Sequence, residues 1–143
     1  MSPQVPAHPG RKLFLNLPVA DLDRAVAFFT ALGFTFNPMF TDETATCMLV
    51  GDDAFVMLLV QPRFDGFCAR PRPEGHATTG HITAFSVGSR EEVDQVADAA
   101  LALGATQAMP ATDHGFMYTR TFFDLDGHHW EVFFMDMAAF PAG

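Results

Sequence analysis

The segment NLPVADLDRAVAFFTALGF (residues 16–34) contains the signals that decide the fold. Residues 13–19 are rich in Leu, Phe and Val, which is typical of a β-strand. Asp21 has the side chain that favours a helix N-cap. Apolar residues recur at helical spacing over residues 22–32, and Gly33 suits the position just after a helix. The segment therefore predicts a strand followed by an amphipathic helix.

A meander of strands and an irregular segment follow this helix. Residues 34–40, 44–50 and 55–60 are short and apolar, which predicts three strands. Residues 61–79 break this pattern, because Pro, Gly and Arg dominate there. A linker between two halves of the chain fits this composition, and so does a lid or a dimer contact beside a pocket. The sequence leaves these alternatives open.

The same order of elements then repeats. Residues 81–87 predict a strand, and Ser89 with Glu92 forms the S-x-x-E capping box of a second helix. The tripeptide Ala-Leu-Gly ends both predicted helices, and Gly33 and Gly104 lie 71 residues apart, which is about half the chain. Three more strands are predicted, over residues 105–110, 116–124 and 129–135.

The repetition predicts one α+β domain built from two βαβββ repeats. Side by side, two such units would form a curved, cup-like mixed sheet with the helices on its outer face. The predicted boundaries are a flexible N-terminal tail (1–11), a single domain (12–136) with repeat one (12–60), the irregular segment (61–79) and repeat two (80–136), and a C-terminal tail (137–143).

Composition excludes several classes of function. The chain has 143 residues and a net charge of −9, which argues against nucleic acid as a partner because backbone binding needs basic patches. No apolar run approaches the ~20 residues of a membrane span, and the N-terminus lacks the apolar core of a secretory signal. Cys47 and Cys68 form no CxxC pair and predict reduced thiols, so we expect a cytoplasmic protein.

Two motifs resemble the vicinal oxygen chelate superfamily, the glyoxalase, bleomycin-resistance and extradiol-dioxygenase group. Residues 16–34 are similar to its strand–Asp–helix–LGF opening, and DLDGHHWEV (124–132) is similar to its closing hairpin. The resemblance covers residues 12–136. It implies a homodimer and a cup that, in the enzymes of the group, holds a divalent metal on four ligands, two from each repeat.

The resemblance also implies which positions would hold the metal. Glu131 matches the last ligand position, but Phe14 and Met57 occupy two others, and neither is a ligand for hard divalent ions. The remaining position falls on Ile82, beside His81. Strand side chains alternate between faces, so a β-bulge would be needed to turn His81 toward Glu131.

Alternation along the strands predicts which side chains line the cup. Glu131 should share its face with His129 and Phe133, and Phe14, Asn16 and Met57 should line the other half. Tyr118, Arg120 and Phe122 share one face of the preceding strand. If that face points inward, these three residues bind ligand and Arg120 pairs with Glu131; if it points outward, Arg120 is a surface charge.

Three functions are compatible with the residues found at the four implied metal positions. We expect first a protein that binds a small molecule in the cup, with the usual metal site largely lost. The alternative is a lyase, isomerase or dioxygenase that uses Glu131 as ligand and catalytic base, His81 or His129, and Zn, Ni, Mn, Fe or Co. The third is a structural or regulatory dimer whose cup is filled by Phe side chains.

Overall fold

The computed structural model describes residues 10–73 and 76–139, and it confirms an α+β fold made of two repeats. The tails predicted over 1–11 and 137–143 lie mostly outside the described residues. Two 3-10 turns, Pro38–Phe40 and Met137–Ala139, accompany the main elements. The helices and strands are β1 (Leu13–Val19), α1 (Leu22–Ala31), β2 (Thr35–Asn37), β3 (Ala45–Gly51), β4 (Ala54–Val60), α2 (Gln61–Phe67), β5 (Ile82–Ser86), α3 (Arg90–Ala102), β6 (Thr106–Gln107), β7 (Thr112–Asp113), β8 (Met117–Phe123) and β9 (His129–Met135).

Both long helices begin at the predicted residues, and α1 ends at Ala31, one residue before the predicted limit. The Asp21 carboxylate accepts a hydrogen bond from the Arg24 backbone N–H at 3.1 Å, and the Ser89 hydroxyl accepts one from the Glu92 N–H at 3.0 Å. These contacts satisfy backbone donors that have no partner inside the helix. Gly33, with φ of 100°, reverses the chain after α1 in a conformation that glycine adopts without strain.

The strands form two sheets within the described residues. The strand order is β1-β4-β3-β2 in the first sheet and β5-β9-β8-β6 in the second, where β7 also pairs with β8. In each sheet the first and last strands of the repeat run parallel, while the other neighbours are antiparallel. One chain therefore builds two half-sheets rather than one continuous sheet.

Helix α1 packs against both sheets. It contacts β4 of the first sheet, while its Phe28 and Phe29 rings lie 6.3 Å from Phe122 and 5.0 Å from Trp130 of the second, between ring centroids. Such aromatic pairs contribute about 0.5–1.5 kcal/mol each beyond the area that they bury. The helix-facing sides of both sheets thus share one hydrophobic core.

The tight turn between β8 and β9 is organised by a buried carboxylate. Asp124 is 7% exposed, and its Oδ1 accepts hydrogen bonds from the backbone N–H groups of Asp126 (2.8 Å) and His128 (3.0 Å). Its Oδ2 accepts a third from Trp130 Nε1 at 2.8 Å. Burial raises the pKa of the Asp124 carboxyl, although the neighbouring His128 and these hydrogen bonds oppose the shift.

The tip of this turn joins the two repeats. Asp126 Oδ1 accepts a hydrogen bond from the Ala20 N–H at 2.8 Å, and His128 Nε2 donates one to the Pro18 carbonyl oxygen at 2.7 Å. Both acceptor and donor groups of the first repeat lie where β1 leads into α1. The turn therefore fixes the position of the second repeat against the first.

The sequence prediction differs from the structure in several elements. Residues 34–40 were predicted to form one strand, but only Thr35–Asn37 form β2, and β7 was not predicted. Residues 61–79 were expected to be irregular, but Gln61–Phe67 form α2, whose Pro62 lies in the first turn, where its missing N–H costs no hydrogen bond. The strand predicted over 105–110 is confined to Thr106–Gln107, because the next backbone N–H groups bond to Thr121 of β8 at its carbonyl and hydroxyl oxygens.

Replacing Asp124 tests the hairpin network. In Asp124→Asn, the new amide cannot accept hydrogen bonds from both Trp130 and the backbone, so one buried donor is left unpaired. We expect the free energy of unfolding, measured by urea denaturation, to fall by about 1–3 kcal/mol. In a Trp130→Phe background the same change should cost less, because the indole donor is gone. Additive losses in this double-mutant cycle would contradict the network.

Candidate functional site

Glu131 lies in the middle of the open face of the second sheet. Its neighbours in the strand register are Ala84 on β5 and Thr121 on β8, and strand alternation places His129 and Phe133 on the same face. The side chain is half-buried. Among the residues that the structure describes, its carboxylate has no hydrogen-bond or ion-pair partner, so it is free to meet a ligand.

Two further polar atoms on this face are buried without a partner. His129 Nε2 and Thr119 Oγ1 make no hydrogen bond to any described residue. The His129 ring packs beside Phe123 at 5.1 Å between centroids, and Thr119 lies opposite Phe133. A buried polar atom without a partner costs free energy. Neither atom is accessible to solvent in this structure, so a ligand would reach them only if neighbouring side chains moved.

The open face of the first sheet is more apolar. Phe14, Asn16 and Met57 lie on it, with Asn16 opposite Met57 in the register and Phe14 stacked on Phe55 at 4.8 Å. Cys47 lies opposite Met57 and is buried, and this burial raises the pKa of its thiol. The face offers an amide and apolar surface, and the Lys12 ammonium lies 5.6 Å from the centroid of the Phe55 ring.

The structure corrects the predicted placement of Tyr118, Arg120 and Phe122. Phe122 is fully buried in the core, and the other two side chains contact α3 rather than the open face. Tyr118 Oη donates to Asp94 Oδ1 at 2.7 Å, a hydrogen bond that raises the pKa of the tyrosine. Arg120 Nη1 lies 2.7 Å from Asp98 and 3.2 Å from Asp94. Arg120 is therefore not the partner of Glu131.

A sequence signal for this ion-pair network was available. Asp94 and Asp98 lie four residues apart and so share one face of α3. A helix that places two carboxylates toward a sheet needs a cation there, and Arg120 is the one cation of β8. The contacts of Arg120 are structural, since they hold α3 to the second sheet.

His81 does not reach the face of Glu131. The β5–β9 register runs without a shift from Ile82 opposite His129 to Ser86 opposite Phe133, so no bulge turns His81 inward. His81 is exposed and precedes β5. It lines a separate cavity between the repeats, where it lies near Asn16 and the β8–β9 turn.

The residues at the four metal positions do not fit a metal ion. Glu131 is a suitable ligand, but Phe14, Met57 and Ile82 occupy the other three positions. Within residues 10–73 and 76–139, no group of three or more His, Cys, Asp or Glu side chains is placed to hold a metal ion. The geometry of one chain therefore supplies an acidic and apolar surface rather than a chelating one.

The two open faces belong to separate sheets. Both sheets direct their other faces toward the shared core around α1, so each open face points away from that core. Phe14, Asn16 and Met57 thus lie on the open face of the first sheet, and His129, Glu131 and Phe133 lie on that of the second. We call each open face a half-cup.

Similarity to known proteins agrees with this architecture. The family model for the bleomycin resistance protein-like N-terminal region matches residues 11–51. A solved structure of a glyoxalase/bleomycin resistance protein/dioxygenase family enzyme from Burkholderia phytofirmans superposes with a TM-score of 0.73 at 15% identity, covering 85% of this chain and 96% of that one. The chain has the vicinal oxygen chelate fold. The resemblance predicted from the two sequence motifs is confirmed.

Two further solved structures are similar to the chain. Hypothetical protein SA1046 from S. aureus has a TM-score of 0.72 at 26% identity, covering 86% of this chain and 92% of that one. A glyoxalase/bleomycin resistance protein/dioxygenase from Nocardioides has a TM-score of 0.65 at 20% identity, covering 97% and 91%. No curated protein matches the chain. Among the described helices, none is both long and apolar enough to span a membrane.

Two substitutions that each remove a charge distinguish the role of the helix-facing side of the second sheet from that of its open face. Arg120→Gln removes both ion pairs to α3, and we expect it to lower the free energy of unfolding by about 1–2 kcal/mol, because Arg120 is largely buried but its partners are exposed. Glu131→Gln should change this free energy by less than about 0.5 kcal/mol, since no partner is lost. Urea denaturation measures both. A large loss in Glu131→Gln alone would show that Glu131 is paired.

Proposed function

We propose that this protein binds a small organic cation in a cup lined by Glu131 and apolar side chains, without a resident metal. The observation that carries the proposal is the half-buried Glu131 carboxylate, which has no partner among the described residues and shares the open face with His129 and Phe133. Removing a carboxylate from water without a compensating charge is costly. A cationic ligand supplies that charge.

The charge of the whole chain supports the same ligand class. A net charge of −9 attracts cations over distances beyond direct contact. The substitutions at the metal positions support binding rather than chelation, because Phe14 and Met57 offer contact area in place of ligand atoms. The match to a bleomycin resistance protein-like model makes a drug-sized cationic molecule a reasonable first ligand.

A homodimer would complete the cup. Each protomer presents two half-cups, and large apolar side chains are exposed there, with Phe14 at 48% and Ile82 at 54%. The strands that carry them, β1 and β5, lie at the ends of their sheets. A second copy could cover both the apolar side chains and the strand edges.

A cytoplasmic location stays a prediction, consistent with free thiols at Cys47 and Cys68.

The proposed dimer can be tested by placing a charge on the second half-cup. Ile82→Lys should convert the protein from dimer to monomer in sedimentation velocity, because a buried unpaired ammonium opposes association. Leu103→Lys is the matched control, since Leu103 is 44% exposed and lies at the end of α3. Identical behaviour of wild type and Ile82→Lys would contradict the shared cup.

Ligand charge preference tests the role of Glu131. Calorimetry with metal-free bleomycin as the cationic probe should give an affinity about tenfold lower in Glu131→Gln, or about 1.4 kcal/mol. A neutral apolar probe, N-phenyl-1-naphthylamine, should bind both proteins equally. Glu91→Gln removes the same charge from the exposed first turn of α3 and should leave the affinity unchanged.

Two results would contradict the cation site. One is equal bleomycin affinity in wild type and Glu131→Gln, and the other is binding of the neutral probe alone.

A second candidate, the metal-dependent lyase, isomerase or dioxygenase, is favoured by the unpartnered His129 Nε2 two residues from Glu131. About one divalent metal per chain, detected by mass spectrometry and lost in Glu131→Gln, would support that candidate instead.

A further inference from the structure

A cavity lies where the two repeats meet, and Glu131 is not among its lining residues. It has a volume of about 600 Å³, within the range of small-molecule sites. Its walls come from the end of β1, from α2, from the segments on either side of residues 74–75 and from the β8–β9 turn. We call it the junction cavity.

The lining of the junction cavity has more basic than acidic side chains, in contrast to the protein as a whole, although Arg24 and Arg72 each have a carboxylate partner. Two arginines, Arg24 and Arg72, and the histidines His76, His81 and His128 line the cavity, whereas Asp126 is the one acidic residue among the described residues of the lining. The chain has only 8 basic residues against 17 acidic ones. A cluster of cationic and hydrogen-bond-donating groups in such a chain favours an anionic ligand.

The acidic side chain of the cavity, Asp126, already has partners within the protein. Asp126 Oδ1 accepts the Ala20 N–H at 2.8 Å and lies 3.5 Å from Arg24 Nη2, and its side chain is only 9% exposed. His128 is also occupied, since its Nε2 donates to Pro18 O. These contacts shape the wall and leave the other donors to face a ligand.

Arg72 is the donor best placed to hold an anion. Its Nε donates to Asp65 Oδ1 at 2.8 Å, and its side chain is 21% exposed. Its two Nη groups have no hydrogen-bond partner in the part of the chain that the structure describes. A guanidinium whose Nε is held in this way keeps its Nη1–Nη2 edge available, and that edge matches the two oxygens of a carboxylate.

Apolar side chains form another part of the wall. Phe64 of α2 and Leu125 of the turn lie on the lining. Gly127, with φ of 82°, lets the His76 ring pack directly on it, since a Cβ at this position would lie 2.7 Å from His76 Cγ. The contact ties the segment before β5 to the turn and closes that side of the cavity.

We propose that the junction cavity binds a small organic carboxylate, whose anionic group pairs with Arg72 and whose apolar body packs against Phe64 and Leu125. The proposal goes beyond the cation site, since the ligand has the opposite charge and meets different residues. Asn16 lies both on the open face of the first sheet and in the wall of the junction cavity.

The test uses phenylacetate, its neutral analogue phenylacetamide, acetate and inorganic phosphate as probes on the full chain, followed by NMR of the ¹⁵N-labelled protein. Phenylacetate should shift the Gly127 and Gln61 signals saturably, and phenylacetamide should bind far more weakly. Arg72→Gln should weaken phenylacetate binding by about tenfold to a hundredfold. The phenylacetate affinity of Arg72→Lys should lie between those of wild type and Arg72→Gln, because lysine keeps the charge but cannot donate two parallel hydrogen bonds.

Two control variants keep the outcome interpretable. Arg70→Gln removes an exposed charge nearby that does not line the cavity, and it should leave binding unchanged. Glu131→Gln should also leave it unchanged, so failure here and failure of the cation site are distinguishable. The proposal is overturned if neither carboxylate shifts these signals, if Arg72→Gln binds as wild type, if phenylacetamide binds equally well, or if inorganic phosphate binds as tightly as phenylacetate.

Discussion

The buried carboxylate of Asp124 is the constraint on which the arrangement of the two repeats depends. It ties the turn to the Trp130 indole, and this places Asp126 and His128 against the start of α1. A carboxylate that is nearly inaccessible to water is tolerated because each of its oxygens accepts hydrogen bonds from N–H groups. The same residues that close a local hairpin therefore also set a long-range contact between the repeats.

The two faces of the second sheet have separate roles. On the helix side, Arg120 and Tyr118 meet the carboxylates of α3, so polar groups there are paired and stabilise the packing. On the open side, Glu131 and His129 Nε2 have no partners among the described residues. Paired polar groups contribute to folding, and the half-buried, unpaired Glu131 carboxylate is available for binding. The distinction explains why one strand pair can be both a structural element and a site.

The sequence predicted the fold well and the site only in part. Helix limits depend on local chemistry at Asp21, Ser89 and the two glycines, and such local signals are readable in a linear chain. The face of β8 could not be decided locally, because it depends on which side α3 covers. His81 could not be placed for the same reason, since its direction depends on the residue at which β5 begins to pair. The junction cavity was missed because its walls come from distant segments.

Helix α1 packs on both sheets, and this changes what the internal duplication means. Phe28 and Phe29 belong to the first repeat, yet they contact Phe122 and Trp130 of the second. A substitution on this face of α1 must therefore suit two surfaces at once. The repeats resemble each other in their order of elements, but they are not interchangeable modules. A chimera that takes one half from a relative would combine aromatic surfaces that do not match. In a whole chain, by contrast, a change on α1 can be matched by a change on the second sheet.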